Sequence, residues 1–453
     1  MPERYQVLMF LAEATKVLWI FAVGACVGSL INVLVYRLPR GLDVVRPTSR
    51  CPSCGTLLTW RENVPILGWL ALRGRCRFCR SSISPEYPAV EALVAFLFAI
   101  FFLVCYAEGG RFLGVDFSAI QPEWARAGFA FTWPVFAVLL TLMSCVVAMI
   151  LVDAKTYQIP LVLTWVPAAV AIIAHTTWAW WVDRAGTLRW QTPAPGWSWA
   201  LATPASGSWW WIGGALGGTV GVAIANMLLS RGLIRRSFAD YEAWERDALA
   251  NAAQTQTIDP TNGQAAQPGV GPGVQMWIQY PHARREMFRE LIFLAPVLAL
   301  GLAGGAIAVR LAGPWTWNPA LMMELPTHTA PFWLEVLAGV LLGYLVGGGL
   351  VWAVRILGSL AFGKEAMGLG DVHMLAAIGA CLGWTDAVLI FFGATFVGVF
   401  WAVLGAIGGG AFRRAMPFGP FLGVAAILVW LGKPGIEWGL TALSGHMRTF
   451  NLP

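Results

Sequence analysis

Ten apolar runs constrain what this chain can fold into more than any other feature. Eight of them, at about 14–36, 88–107, 129–152, 160–182, 208–230, 290–312, 333–357 and 385–408, approach the ~20 residues that cross a bilayer. Two shorter ones lie at about 372–383 and 418–432. Inside lipid a backbone must satisfy its own hydrogen bonds, so such runs form helices. The expected fold class is therefore an all-α polytopic membrane protein with about 8–10 transmembrane helices, carrying a small cytoplasmic four-cysteine zinc module.

Composition agrees. Charged residues make up 12% of the chain and hydrophobic ones 58%, against about a quarter and just under a half in soluble proteins. The 50 glycines and 25 tryptophans suit close helix packing and interfacial anchoring. The net charge of +6 is a topology signal, because the arginines cluster beside apolar runs. The expected surroundings are the lipid bilayer, with no nucleic acid as partner. The first 40 residues lack a short apolar core followed by a small-residue cleavage site, so no removable signal peptide is expected.

Orientation follows from the loops. Between Arg37 and Arg80 there are nine arginines and two acids, Asp43 and Glu62, which places this loop in the cytoplasm. Alternating crossings put 108–128 and the tryptophan-rich 183–207 outside. They put 153–159, 231–289 and 358–371 inside, where Arg231, Arg235, Arg236, Arg284, Arg285, Arg355 and Lys364 agree with the rule. The predicted organisation is a first transmembrane segment at 1–36 and a zinc-binding module at 37–88. Transmembrane helices at 89–234, a cytoplasmic insertion at 235–289 and further transmembrane helices at 290–453 follow. Residues 250–275 hold little to bury and read as a flexible linker; 235–249 is charged enough for a short surface helix. Gly213, Gly217 and Gly221, with Gly343 and Gly347, recur every fourth residue, the spacing of generic close packing between membrane helices.

Of eight cysteines, Cys26, Cys105, Cys145 and Cys381 lie singly in apolar runs and read as small core residues. Cys51-Pro-Ser-Cys54 and Cys76-Arg-Phe-Cys79 are two C-x-x-C pairs separated by 21 residues, close to the spacing of a four-thiolate zinc site. Redox or disulfide use is the alternative, which a reducing cytoplasmic loop disfavours. A closed set of four cysteines leaves no open position for substrate, so the expected zinc is structural.

Two aspartates stand out. Asp153 closes the run Ala148-Met149-Ile150-Leu151-Val152, and Asp371 ends Met367-Gly368-Leu369-Gly370-Asp371 ahead of the apolar run Met374 to Leu382. A carboxylate at a bilayer boundary is costly unless it has a partner or a task. Two close carboxylates cannot easily both ionise, so a pair supplies both an acid and a base. Gly368 and Gly370 allow unusual backbone angles and leave room for an extended peptide beside Asp371. Each aspartate also has a plainer reading: Asp371 as a cap for the following helix, Asp153 as a helix end beside Lys155.

The run Gly28-Ser29-Leu30-Ile31-Asn32-Val33-Leu34-Val35-Tyr36-Arg37-Leu38-Pro39 resembles the N-terminal signature of prepilin leader peptidases, the type IV prepilin peptidase/N-methyltransferases of the A24 type, which are GxGD aspartic proteases. The two cysteine pairs, Glu62 to Leu70 and Ile83 to Glu91 follow as in that family, and Gly368 to Val372 and Pro417 to Phe421 continue the likeness. The resemblance implies a membrane aspartic endopeptidase that trims the basic leader of type IV prepilins or type II secretion pseudopilins. It implies a bacterial inner-membrane location and an active site facing the cytoplasm. It assigns Asp153 and Asp371 to the catalytic dyad, with Gly368 and Gly370 supporting, and Cys51, Cys54, Cys76 and Cys79 to zinc. Many members also N-methylate the new terminus with S-adenosylmethionine; on this chain that expectation rests on the resemblance alone, since no nucleotide-fold motif is present.

The chain departs from the family by inserting extra spans and a cytoplasmic segment between the aspartates, and by His373 where a lysine is usual. Two competing functions remain. Another GxGD intramembrane protease would leave the cysteine module without a purpose. A transporter relaying protons or cations through the aspartates should show related halves, and no internal repeat is evident.

Overall fold

The computed structural model describes residues 3–46, 49–185, 199–204, 207–256, 280–318, 323–408 and 417–444. The helices are α1 (Glu3–Arg37), α2 (Leu67–Ala71), α3 (Glu86–Tyr106), α4 (Phe129–Thr156), α5 (Leu161–Ala185) and α6 (Trp209–Ser230). They continue as α7 (Tyr241–Gln256), α8 (Ala283–Ala312), α9 (Phe332–Phe362), α10 (Leu369–Leu382), α11 (Trp384–Gly408) and α12 (Phe418–Leu443). Among the described residues nine helices are long and apolar enough to cross a membrane, and α10 is a shorter apolar helix. That count lies inside the expected range. Two small antiparallel hairpins, Arg111–Phe112 with Val115–Asp116 and Trp315–Asn318 with Met323–Pro326, interrupt an otherwise helical chain.

Helix α12 is longer than its apolar run suggested. The pattern fades at Lys433, yet the helix continues to Leu443. The Lys433 ammonium sits 2.8 Å from the carboxylate of Asp386, a fully buried residue in the first turn of α11. A paired cation no longer ends the span.

The chain divides into two compact units. The first comprises Met1–Ala205, Pro331–Gly347 and His373–Pro453; the second comprises Ser206–Ala330 and Gly348–Val372. In the first unit α1 packs on α3 and α4, α4 on α5 and α12, and α11 on α12. Small residues decide the approach of α1 to α3. A Cβ at Gly28 would meet the backbone of Glu91, and one at Gly24 the backbone of Ala95. A Cβ at Gly343 or Gly347 would likewise strike the carbonyl of Gly379 or Leu375. Residues 186–198 of the tryptophan-rich loop lie outside the described residues. Its last part is buried: Trp199 donates its indole N–H to His175 Nδ1 at 3.0 Å, and Leu201 is fully enclosed.

In the second unit α6 and α8 form one continuous seam. The fourfold glycine spacing of α6 meets the backbone of α8: a Cβ at Gly213, Gly217 or Gly221 would overlap the carbonyl of Gly304, Leu300 or Pro296. Close backbone contact is the main source of helix attraction where lipid removes the hydrophobic drive. Of the linker expected at 250–275, residues 250–256 are instead the last turns of α7, and 257–275 lie outside the described residues. The charged stretch before it does form a helix, α7, but Phe238 and Tyr241 at its start are buried with Tyr280, Ala283, Met287 and Ile356 in an aromatic cluster. The insertion is therefore anchored by a core that it shares with α8 and α9.

Replacing Gly217 by leucine is expected to force α6 and α8 apart and lower stability by roughly 1–3 kcal/mol. Gly349→Ala, where a Cβ meets nothing within 4 Å, is expected to be neutral or slightly stabilising. Thermal unfolding in detergent checks both, and equal effects would refute the seam.

Candidate functional site

Cys51, Cys54, Cys76 and Cys79 sit on two loops built to one pattern. Cys51 N–H donates to Thr56 O at 3.0 Å and Gly55 N–H to Cys51 O at 2.9 Å. In the second loop Cys76 N–H donates to Ser81 O at 2.9 Å and Arg80 N–H to Cys76 O at 3.1 Å. Each loop closes with a bridge, Arg50 to Leu57 and Arg75 to Ser82. The left-handed position of the turn is Gly55 in one and Arg80 in the other, at φ 71° and 61°; only the glycine adopts it without strain.

The four thiols converge, with all Sγ atoms within 4.8 Å of one another and Cys51 3.8 Å from Cys79. Thiolates ~2.3 Å from a tetrahedral ion stand about 3.8 Å apart, so the donor set fits a metal ion. The surroundings favour the thiolate at Cys51 and Cys79, whereas at Cys76 the backbone N–H groups of Cys79 and Phe78 are outweighed by burial and by the Cys51 and Cys79 thiols, which leave it raised. The backbone N–H groups of Cys54 and then Ser53 lower the Cys51 thiol to about 6, and the Ser81 hydroxyl lowers Cys79. The lobe is tied to the spans by Glu91, which accepts Ile66 N–H at 2.7 Å, and the two flanking spans are joined by Asn32 of α1, which donates to Tyr87 O of α3 at 3.0 Å. Within the lobe Glu62 accepts from Thr59 N–H and Arg77, and the first of these chiefly holds its carboxyl below the usual range. Gly28, Asn32, Glu62 and Glu91 thus explain much of the N-terminal signature as packing and hydrogen bonding.

Asp153 lies in the last turns of α4 and is 4% exposed. The helix ends when Tyr157 turns left-handed (φ 55°) and donates its N–H to the Asp153 carbonyl at 2.9 Å. Lys155 pairs with Glu86 of α3 rather than with Asp153. Oδ2 of Asp153 is buried with no hydrogen-bond partner among the described residues. Its neighbour is Gly419, where a Cβ would overlap that oxygen and press on Ile159. Gly419 went unassigned in the sequence, where it was visible only as part of Pro417 to Phe421.

Asp371 occupies the first turn of α10 and is 8% exposed. A Cβ at Gly368 would stand 3.7 Å from its Oδ2. The loop that delivers it is clamped within the second unit. Ala366 N–H donates to Ser359 Oγ at 3.1 Å, Gly363 N–H to Ser359 O at 2.9 Å, and Tyr280 N–H to Gly363 O at 2.6 Å. Arg355 donates to the carbonyl of Met367, to Glu365, and through Nε to Glu290 at 3.0 Å. Arg355 is fully buried. The sequence offers it only as a marker of sidedness, and it is also the centre of an ion network. Glu290 also accepts from Trp352 and Ser237, each at 2.5 Å. Asp153 belongs to the first unit and Asp371 to the second.

These observations define a class: a multi-pass helical membrane protein with a four-thiol lobe and two buried carboxylates beside glycines. Comparison with known proteins narrows it. Residues 22–105 match the bacterial peptidase A24 N-terminal domain, and residues 307–403 match the type IV leader peptidase family. The first stretch contains all four clustered cysteines and the second contains Gly368, Gly370 and Asp371; Asp153 falls between them. A prepilin leader peptidase/N-methyltransferase of Myxococcus xanthus is 54% identical over 80 residues, 18% of this chain and 24% of that protein. One of Klebsiella pneumoniae is 38% identical over 109 residues, 22% of this chain and 48% of that protein. A type 4 prepilin-like proteins leader peptide-processing enzyme of Escherichia coli is 36% identical over 110 residues, 20% and 40% of the two chains. The chain thus spans between about a quarter and a half of the length of these curated relatives. No solved structure matches. The resemblance to prepilin leader peptidases is shown over these segments.

A double-mutant cycle tests the contact at Asp153. Gly419→Ala alone is expected to lower stability by roughly 1–3 kcal/mol, and less when Asp153→Ala has already removed the carboxylate. Strict additivity in thermal unfolding would refute the contact.

Proposed function

We propose that this protein is an aspartic endopeptidase of the bacterial inner membrane that removes the leader of type IV prepilins or type II secretion pseudopilins. What carries the reading is the co-occurrence of the four-thiol lobe and the Gly-Leu-Gly-Asp371 acid in two stretches that match leader-peptidase domains. Asp153 and Asp371 are the proposed dyad. In this scheme the ionised carboxylate takes a proton from water as the oxygen attacks the scissile carbonyl. The protonated carboxyl then gives its proton to the departing amine, which restores one charged and one neutral group. The buried, unpartnered Oδ2 of Asp153 suits a group that must bind water or substrate. Gly368 and Gly419 keep side-chain bulk away from the two acids. The site faces the cytoplasm in this proposal, on the side of the arginine-rich loop.

The metal proposed for Cys51, Cys54, Cys76 and Cys79 is zinc in a structural role, since four thiolates complete a tetrahedron. N-methylation of the new terminus from S-adenosylmethionine is part of the proposal through the names of the relatives, and no residue of this chain is assigned to it.

Two outcomes are expected. Asp153→Asn and Asp371→Asn each slow cleavage of a pilin-like precursor in detergent at least ~100-fold, with unfolding temperatures close to wild type; ordinary processing by either variant overturns the dyad. Mass analysis of the product, with and without S-adenosylmethionine, reads methylation in the same assay. Separately, protein never exposed to chelator carries about one zinc per chain, and Cys51→Ser or Cys76→Ser loses it and lowers the unfolding temperature. Metal analysis finding no zinc in the wild type sinks that assignment.

A further inference from the structure

Within the second unit, the segment after α6 and the start of α8 enclose a recess of about 690 Å³. Arg235, Arg236, Arg285 and Arg289 line it, with His282. Its two acids are already engaged. Glu286 is buried and accepts both of its oxygens' bonds from Arg289, at 2.7 and 2.9 Å, and one more from Phe238 N–H at 3.0 Å. Asp240 accepts from the Tyr280 hydroxyl at 3.5 Å. Arg235, Arg236 and Arg285 are exposed and have no ion pair among the described residues. Once Glu286 and Arg289 cancel, three guanidinium groups face one carboxylate across one recess.

Topology alone explains arginines near the ends of spans. It does not explain their convergence on one concavity, where they repel one another unless an anion sits between them. Guanidinium forks match phosphate oxygens in pairs. The recess also lies where α6 ends and α8 begins, at Ser230 and Ala283, which is headgroup depth for a pair of spanning helices. Basic pockets between membrane helices on the cytoplasmic side hold anionic headgroups in this way.

We infer that Arg235, Arg236 and Arg285 form a binding site for a phosphate-bearing anion, with an anionic phospholipid headgroup as the occupant the location favours. The inference is independent of the peptidase reading and uses none of its residues.

The test uses the full chain in neutral detergent. Thermal unfolding is followed as phosphatidylglycerol, phosphatidylcholine or inorganic phosphate is added, with chloride at matched ionic strength. Wild type is expected to gain stability saturably with phosphatidylglycerol and not with phosphatidylcholine. The variant Arg235→Gln/Arg236→Gln/Arg285→Gln is expected to bind on the order of 100-fold more weakly, and the triple lysine variant to recover part of the response. Its unfolding temperature in phosphatidylcholine alone establishes that the glutamine variant folds. A response to inorganic phosphate equal to that for the lipid supports the site but assigns it to a soluble phosphate compound. A wild type that answers neither anion beyond the chloride control, or a glutamine variant that answers like wild type, overturns the proposal.

Discussion

A charge withdrawn from water has to take its counter-charge along, and much of this structure is arranged around that requirement. Desolvating one ion costs several kcal/mol in a folded protein, so an isolated buried charge would end a span or shift a helix. Here Arg355 enters with Glu290 and Glu365, and Lys433 with Asp386. Each pairing lets a helix run through a position that its hydropathy would have ended. Asp153 differs from these: no ion pair among the described residues includes it, and its buried Oδ2 has no hydrogen-bond partner there. In the proposed function that oxygen is the one left open to water or substrate.

Glycine is the second constraint, and it acts through distance. The α6–α8 seam and the approach of α1 to α3 at Gly28 both bring backbones closer than any Cβ would allow. Gly419 applies the same geometry to a side chain, because the room it leaves is occupied by the Asp153 carboxylate. Helix packing and the placing of that acid therefore draw on one device.

The spans were legible because a bilayer imposes a length, and the thiol cluster because two C-x-x-C turns leave little freedom of arrangement. What the sequence hid depends on tertiary pairing. Arg355 closes an apolar run and counts with the cytoplasmic arginines such as Arg235, yet one is buried in an ion network and the other is exposed. The length of α12 depended on Asp386, many residues away. Phe238, Tyr241 and Tyr280 flank a stretch that looked like surface and linker, and only their mutual packing identifies them as core. Gly419 carried no chemistry of its own and gained a role only from what stands beside it.

The insertion between the two matched stretches poses the remaining question, since extra chain ahead of Asp371 ought to loosen the loop that carries it. Its placement argues the reverse. Tyr280 closes the aromatic cluster and donates to Gly363; Ser237, just after α6, donates to Glu290, which holds Arg355; and Arg355 grips the carbonyl of Met367, directly ahead of Gly368. The added segments thus end in the loop that delivers the acid. A glycine-rich loop is entropically costly to hold in one conformation. Buried ionic and aromatic contacts with a high cost of rupture are the kind of support that keeps such a loop in register. The extra chain therefore braces the loop ahead of Asp371 through Tyr280 and Ser237.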